Sequence, residues 1–163
     1  MTLEVPESLD QKRRRVRQSF DDQAVMHTLG ATLTRVQPGE VEISCRFDPA
    51  LSQQHGFLHA GIVSTLMDSA CGYAAFSMMP VDAEVLSIEF KTNLLAPAAG
   101  DSFRMLGKLR KAGRNIFFTE AEAYAISDGR EKLIATMTCT LMALRGRSDL
   151  AAVSRRPRSD SDD

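Results

Sequence analysis

The sequence lacks the features that would direct a protein into or across a membrane. No apolar run is long enough to cross a bilayer, and residues 1–20 are charged where a signal peptide would need an apolar core. A strong charge bias is also missing, because 20 Lys and Arg residues nearly balance 21 Asp and Glu residues, giving a net charge of -1. Composition therefore gives no reason to expect a nucleic acid or an anionic membrane as partner, and we expect a cytoplasmic protein.

Cysteine is scarce. Cys45, Cys71 and Cys139 are odd in number, far apart, and each lies among apolar or small residues. This pattern favours reduced thiols that serve as small core residues over a disulfide framework or a zinc site. We expect neither a metal nor a cofactor.

The length of 163 residues and a hydrophobic fraction of 44% are sufficient for one domain with a buried core. We expect an N-terminal helical segment at residues 1–28, a main domain at 29–144, and a disordered tail at 145–163, where Arg, Asp and Ser dominate. Residues 8–26 are typical of a polar helix anchored by Val16, Phe20 and Val25. Its basic run, residues 12–17, is interpreted as a solvated face, with a phosphate or nucleic-acid contact as the alternative.

The rest of the pattern predicts an α+β fold. Val41, Ile43, Cys45 and Phe47 alternate with polar residues, as in a strand with one wet face. An apolar helix follows from about residue 60 to 79, and then four strands at about 84–94, 103–111, 115–127 and 132–144. Such a meander can bury the helix only if an antiparallel sheet curls around it.

One short stretch combines a loop, a helix start and an acid. The polar, glycine-bearing residues 52–58 lead into the apolar helix near residues 59–61. The first N–H groups of a helix have no partner within it and carry the positive end of its dipole, so they can hold a polarised oxygen. This start is half of a hydrolytic site.

The acid in this helix is Asp68, which lies between Met67 and Ser69. A buried aspartate is rare unless it is paired or functional. One reading makes Asp68 structural, bonded to backbone, Ser64 or Thr65; the other makes it a base or nucleophile. Because Ala60 and Asp68 are about 12 Å apart along a helix, one chain cannot bring both to the same small group. If the two act together, a second copy must supply one of them, in a two-fold dimer.

These residues resemble the hotdog-fold thioesterases, and within them the PaaI-like acyl-CoA thioesterases. The family pattern of an Asn or Gln, a loop glycine, His-Gly-Gly and an acid nine residues after the His corresponds to Gln53, Gly56, residues 59–61 and Asp68. The segment 89–97 and the turns at 100–101 and 113–114 also match, so that the resemblance covers residues 29–144. It implies a hotdog fold: an antiparallel sheet wrapped around one long central helix, here with an extra N-terminal helix.

The chain departs from the family pattern at two positions. The first glycine after the His is Ala60, which keeps the N–H but adds a Cβ beside the thioester. One turn after the acid, where some relatives carry a hydroxyl that orients water, the residue is Gly72, and Ser64 or Ser69 would have to substitute.

The resemblance implies a role for each matching residue. Asp68 of one subunit would be the general base or the nucleophile, and the Ala60 N–H of the other would polarise the thioester carbonyl. Gln53 would orient the water or the carbonyl, and His59 would brace the loop rather than transfer protons. Further substrate contacts are expected from four residues on the helix, Gly61, Ser64, Met67 and Ser69. Arg114, at a hairpin tip, is a further expected contact for the CoA phosphates, with a solvated hairpin tip as the alternative.

The implied reaction is hydrolysis of an acyl-CoA to free acid and CoA, in fatty acid metabolism, by a homodimer with composite sites that pairs further into a dimer of dimers. Leu66, Met67, Met78 and Met79 are expected to line the acyl pocket, which favours medium- or long-chain aliphatic groups over aryl groups. The alternatives are a non-catalytic acyl-CoA sensor and a dehydratase of the same fold. The segment before Leu29 is too short for a helix-turn-helix domain, and the dehydratase pattern spaces its histidine and acid differently, so the thioesterase ranks first.

Overall fold

The computed structural model describes residues 7–146, which form one antiparallel sheet, one long helix and two shorter N-terminal helices. The elements in chain order are α1 (Leu9–Asp21), α2 (Ala24–Thr28), β1 (Thr32–Gln37), β2 (Glu40–Arg46), α3 (Ala60–Phe76), β3 (Ala83–Leu94), β4 (Ser102–Ala112), β5 (Ile116–Ser127) and β6 (Arg130–Arg145). The predicted tail lies outside the described residues from 147 onward.

The six strands lie in the order β1-β2-β4-β5-β6-β3, and every neighbouring pair is antiparallel. On β5 the side chains of Phe117, Thr119 and Ala121 are buried while those between them are exposed or half-buried, so one face of the sheet covers the core. The helix α3 packs against that face, and residues 69–76 are all buried. This confirms the predicted α+β fold with a sheet wrapped around one central helix.

The sheet has two edge strands, β1 and β3. Within residues 7–146, β3 pairs only with β6, so its other edge offers backbone groups to a further strand. Several of the large apolar side chains of β3 are exposed, among them Leu86 (51%), Ile88 (50%) and Phe90 (47%). A long apolar edge of this kind is typical of an interface.

The N-terminal segment differs in part from the prediction. Ser8 caps α1 in a capping box with Gln11, but the predicted single helix is broken at Asp22 and Gln23 into α1 and α2. Val16 and Phe20 are buried as predicted, whereas the predicted anchor Val25 is 40% exposed and Met26 is buried instead. On an unbroken helix, residue 26 would point roughly 100° around the helix axis from the direction shared by Val16 and Phe20. The break turns Met26 into the core.

The basic run is not uniformly solvated. Arg15 lies 4.3 Å over the ring of Phe76, pairs with Glu7 at 2.9 Å and donates to the carbonyl of Met79 at 3.1 Å. Arg14 and Arg17 are exposed, as the solvated-face interpretation predicts.

The three cysteines are free and buried, which confirms the prediction of core thiols. Burial raises the pKa of the Cys45 thiol to about 11. A hydrogen bond with Cys139, together with burial, also raises the pKa of Cys71. Neither thiol has the lowered pKa of a nucleophile. No helix within residues 7–146 is long and apolar enough to span a membrane.

Candidate active site

The start of α3 is fixed by its own first residues. His59 is the N-cap, and its Nδ1 accepts a hydrogen bond from the Gly61 N–H at 2.9 Å. A Cβ on Gly61 would lie only 3.0 Å from that Nδ1, so the cap fits best when residue 61 is glycine. His59 therefore caps the start of α3 through its own ring nitrogen.

The cap leaves the Ala60 N–H available. Within residues 7–146 this group donates to no protein acceptor, and it lies at the N-terminus of a 17-residue helix, where the dipole is positive. It is therefore suited to hold a developing oxyanion.

Gln53 lies in a tight turn before α3. Its N–H donates to Phe57 O at 2.8 Å, its carbonyl accepts from Gly56 N at 2.9 Å, and its side-chain Oε1 accepts from the N–H of His55. Gly56 adopts φ +82, which favours glycine at this point of the turn. Because Oε1 is occupied, the side-chain NH₂ is the part of Gln53 that is free to act, as a donor.

Gln53 and Ala60 share a cleft of about 450 Å³, called here the Ala60 cleft. Its other walls are apolar and come from the loop before α3, from α3 itself, from the end of β3 and from β6, with residues that include Phe57, Val63, Leu94, Pro97 and Ile134. An apolar cleft with a few convergent donors is typical of a small-molecule site.

Asp68 lies on the side of α3 that faces β3. Its Oδ1 accepts from Ser87 Oγ at 2.7 Å and lies 3.8 Å from Cys139 Sγ. The sequence interpretation of a purely structural acid named Ser64 and Thr65 as partners, but these bond Thr92 and the Gly61 carbonyl instead. Ser87 therefore holds one carboxylate oxygen, and the other has no protein donor within residues 7–146.

Asp68 opens into a second cleft of about 420 Å³, the Asp68 cleft. Its walls come from the α1–α2 junction, from α3 and from the edge of β3, with residues Ser19, Asp22, Gln23, Ser69, Gly72, Tyr73, Glu84, Val85, Leu86 and Ser87. Neither Gln53 nor Ala60 lines it. Within one chain the two halves of the predicted site thus lie in different clefts, as their helical spacing of about 12 Å requires.

Of the other predicted substrate contacts, only some lie in the clefts. Ser69 lines the Asp68 cleft and donates to Gln23, whereas Ser64 donates to Thr92 on β3. Met67 is fully buried and lines neither cleft. Arg114 lies exposed in the turn between β4 and β5.

The side chains expected to form an aliphatic acyl pocket are also elsewhere. Leu66 and Met79 are buried in the core, and Met78 is 41% exposed at the far end of α3, near Gly39. These side chains line neither cleft, so they do not support the expectation of a medium- or long-chain aliphatic substrate.

Sequence reasoning missed Ser87 and Gln23. Ser87 carries a hydroxyl at an inward position of β3. It follows the buried Ala83 and the half-buried Val85 on the same face, and a bulge at residues 87–89 comes directly after it. A polar residue on the core face of a strand was the available signal. The sequence gave no comparable signal for Gln23, because only the fold brings its side chain next to Ser69. Within residues 7–146 no cluster of three or more His, Cys, Asp or Glu side chains could hold a metal ion.

Comparison with known proteins identifies the family. A crystal structure of a thioesterase family protein from Silicibacter pomeroyi is 56% identical, covers 83% of this chain and 99% of its own, and superposes with a TM-score of 0.82. The thioesterase superfamily profile matches residues 55–132, which include His59, Ala60 and Asp68. The chain belongs to the thioesterase superfamily. This confirms the predicted hotdog-fold, PaaI-like thioesterase resemblance and the thioester hydrolase class.

One solved structure of low sequence identity shares the fold, and one further protein matches part of the sequence. The PaaI protein of the E. coli phenylacetic acid degradation operon is 19% identical, with 85% of this chain and 98% of that chain covered and a TM-score of 0.76. A Halobacterium salinarum protein named as an esterase is 33% identical over 86 residues, which span 50% of this chain. The matched segment covers 57% of that relative's length.

Proposed function

We propose that this thioesterase superfamily member hydrolyses the thioester of an acyl-CoA to the free acid and CoA. The observation that carries the proposal is a pair of groups on α3: an Ala60 N–H without a protein acceptor, and an Asp68 carboxylate held by Ser87 at 2.7 Å. One is an oxyanion donor and the other a base, which are the two groups that acyl transfer to water needs.

The active site forms between two copies of the chain that join along β3. Phe90 is paired with Cys139, and directly opposed residues of an antiparallel pair point to the same face. Cys139 is fully buried on the helix side, whereas Phe90 on that side is still 47% exposed. A second β3 laid antiparallel along the first would cover Phe90 and its exposed neighbours. The same two-fold arrangement turns α3 of each copy so that Asp68 of one meets Ala60 and Gln53 of the other.

In the reaction, Asp68 takes a proton from water through the carboxylate oxygen that Ser87 does not hold. The resulting hydroxide attacks the thioester carbon, and the carbonyl oxygen becomes an oxyanion bound by the Ala60 N–H of the partner subunit. The free NH₂ of Gln53 gives a second donor at the same oxygen. When the oxyanion collapses, the C–S bond breaks and the CoA thiolate takes the proton back from Asp68.

In the alternative, Asp68 attacks the thioester itself and forms an acyl anhydride that water then hydrolyses. A single turnover in ¹⁸O-water separates the two routes. The general-base route puts the label only in the acid product. The anhydride route, when water attacks the aspartyl carbon, transfers label to Asp68, where mass spectrometry of the peptide detects it.

The first test replaces the acid. We expect Asp68→Asn to fold, to keep its oligomeric state and to lower kcat for CoA release by at least about a hundredfold, the scale of a lost general base. The assay measures free thiol across acyl-CoAs from short to long chains with phenylacetyl-CoA and benzoyl-CoA. Asp82→Asn, in the exposed turn before β3, makes the same change outside the site and should match wild type.

Two results would contradict the proposal. Near-wild-type turnover by Asp68→Asn would make Asp68 a structural acid. Binding of acyl-CoA by the wild-type protein without thiol release on any member of the panel would favour the non-catalytic sensor.

A further inference from the structure

The Asp68 cleft has a polar far wall that the proposed chemistry does not use. This wall is the α1–α2 junction, where Gln23 accepts from Ser69 Oγ at 3.3 Å and Ser19 Oγ donates to Tyr73 OH at 3.4 Å. Both distances are at the long end of hydrogen bonding, so these groups are weakly engaged. The Gln23 side-chain NH₂ has no acceptor within residues 7–146. Gln23 is also the N-cap residue of α2 but makes no side-chain cap bond, so its amide is not needed for the helix.

The charge of the cleft restricts which part of a thioester can enter it. Asp22 and Asp68 line the cleft, and among its lining residues there is no Lys or Arg. Asp22 forms no ion pair within residues 7–146. The nucleotide arm of CoA carries several phosphate charges, and like charges repel strongly where water is partly excluded. The nucleotide arm of CoA is therefore disfavoured in the Asp68 cleft, and we assign this cleft to the acyl group.

The distance from the acid to the polar wall is short. Gly72 and Tyr73 follow Asp68 by about one turn of α3, which is roughly 6 Å along the helix axis. Gly72 lines the cleft and carries no side chain, so nothing from this position projects into it. Gln23 lines the same cleft and bonds Ser69, the residue directly after Asp68, so the polar wall lies within reach of a short acyl chain that starts at the acid.

On the basis of the proposed function, we propose that Gln23 and Asp22 determine acyl specificity and select short acyl groups that carry a hydroxyl at their far end. The Gln23 NH₂ donates to the hydroxyl oxygen, and the Asp22 carboxylate accepts the hydroxyl proton. An alkyl end leaves the half-buried Gln23 NH₂ without a partner, and a terminal carboxylate is repelled by Asp22. A site with unpaired polar groups rejects the analogue that lacks the matching group.

The test compares three acyl-CoAs that differ only at the end of the chain: ω-hydroxyhexanoyl-CoA, heptanoyl-CoA and adipyl-CoA. For the wild-type protein we expect kcat/KM to be about tenfold higher for the hydroxyl than for the methyl compound, the scale of one hydrogen bond, and lowest for the carboxylate. The difference should lie mainly in KM, since the hydroxyl is remote from the reacting carbon.

Two substitutions test whether Gln23 is the residue responsible for the preference for a terminal hydroxyl. Gln23→Leu removes the amide at similar size and should bring the hydroxyl-to-methyl ratio close to one. Gln23→Glu keeps an acceptor for Ser69, should retain part of the hydroxyl preference, and should lower kcat/KM for adipyl-CoA further. Gln18→Leu makes the matched change at an exposed position of α1 and should keep the wild-type ratio.

The outcomes separate this inference from the proposed function. No thiol release from any of the three substrates, nor from the wider panel, would overturn the proposed function. Release from heptanoyl-CoA as fast as from ω-hydroxyhexanoyl-CoA would leave the thioesterase in place and overturn the specificity role. A Gln23→Leu protein that keeps the wild-type ratio would also overturn it, and Gln18→Leu shows whether a general loosening of α1 could change the ratio.

Discussion

Residues 60 and 61, at the start of α3, differ in whether they can carry a side chain. A Cβ at position 61 would lie 3.0 Å from His59 Nδ1 and 3.3 Å from Cε1, so the capping ring would have to shift to admit a side chain there. Position 60 is half-buried at the rim of the Ala60 cleft and carries a methyl group where the family pattern has glycine. In the proposed mechanism the backbone N–H of Ala60 is the acting group, and the side chain at this position only has to be small.

Substitution at Ala60 tests the backbone donor directly. Ala60→Gly keeps the N–H and should leave kcat within a few fold of wild type. Ala60→Pro removes the N–H and should lower kcat on the order of a hundredfold or more, the scale of one lost oxyanion donor. Proline is tolerated in the first helical turn, so the variant can fold, and its melting temperature and oligomeric state serve as controls. A folded Ala60→Pro protein with full turnover would remove the oxyanion role from this position.

At the scale of the elements, the position of α3 depends on one glycine in the sheet. A Cβ on Gly107 of β4 would overlap the carbonyl group of Ala70 and lie 2.8 Å from Cys71 N. Glycine therefore lets the helix backbone approach the strand closely, just after Asp68 in the chain. Ser87 on β3 then reaches Asp68 from the side of the sheet. The acid is held between a helix and a strand that are far apart in the sequence.

Two glycine substitutions separate close packing from helix propensity. Gly107→Ala should lower the free energy of unfolding by about 3 kcal/mol or more, because overpacking against helix backbone cannot be relieved by a rotamer change. Gly72→Ala adds the same methyl group inside α3 at an ordinary 3.8 Å from Leu141 and should change stability by about 1 kcal/mol or less, in the stabilising direction. Urea denaturation measures both. Equal stabilities of the two variants would contradict the close-approach explanation.

At the scale of the whole molecule, one chain carries both groups of the proposed site, Ala60 and Asp68, in separate clefts. The free apolar edge of β3 gives the chain a surface through which a second copy can bring the halves together. The proposed dimer would then carry two equivalent sites, each with Asp68 from one subunit and Gln53 from the other.

Mixed dimers test this arrangement. Asp68→Asn and Gln53→Ala homodimers should each be nearly inactive, since every site lacks one group. After unfolding and refolding together in equal amounts, half of the dimers should be mixed and each should have one intact site, so that activity recovers to about a quarter of wild type. Differently tagged subunits confirm the mixing by pull-down. Absence of recovery in confirmed mixed dimers would place both residues in the same site of one chain.

Local patterns in the sequence were sufficient for much of this protein. The alternation in β2, the apolar run of α3 and the turn residues between strands determined the α+β class, because side-chain period and backbone preference act over a few residues. The helix start at Ala60 and the acid at Asp68 were candidates from local pattern alone, whereas Gln53 was added by the family resemblance. The resemblance implied that His59 braces the loop, and the structure adds that its ring nitrogen caps α3.

The tertiary structure decided which groups face one another across the chain. Ser87 meets Asp68 only because β3 pairs with β6 in a register that is shifted by a bulge at residues 87–89. Gln23 meets Ser69 only because the N-terminal helix breaks at residues 22–23 and turns Met26 into the core. The methionines expected in an acyl pocket are apolar at the right helical spacing, but packing put Met67 and Met79 in the core and left Met78 exposed. The hydrophobic effect favours burial of an apolar side chain but does not specify which residue it contacts. Which side chains line each cleft therefore depends on the register and packing angle of whole helices and strands.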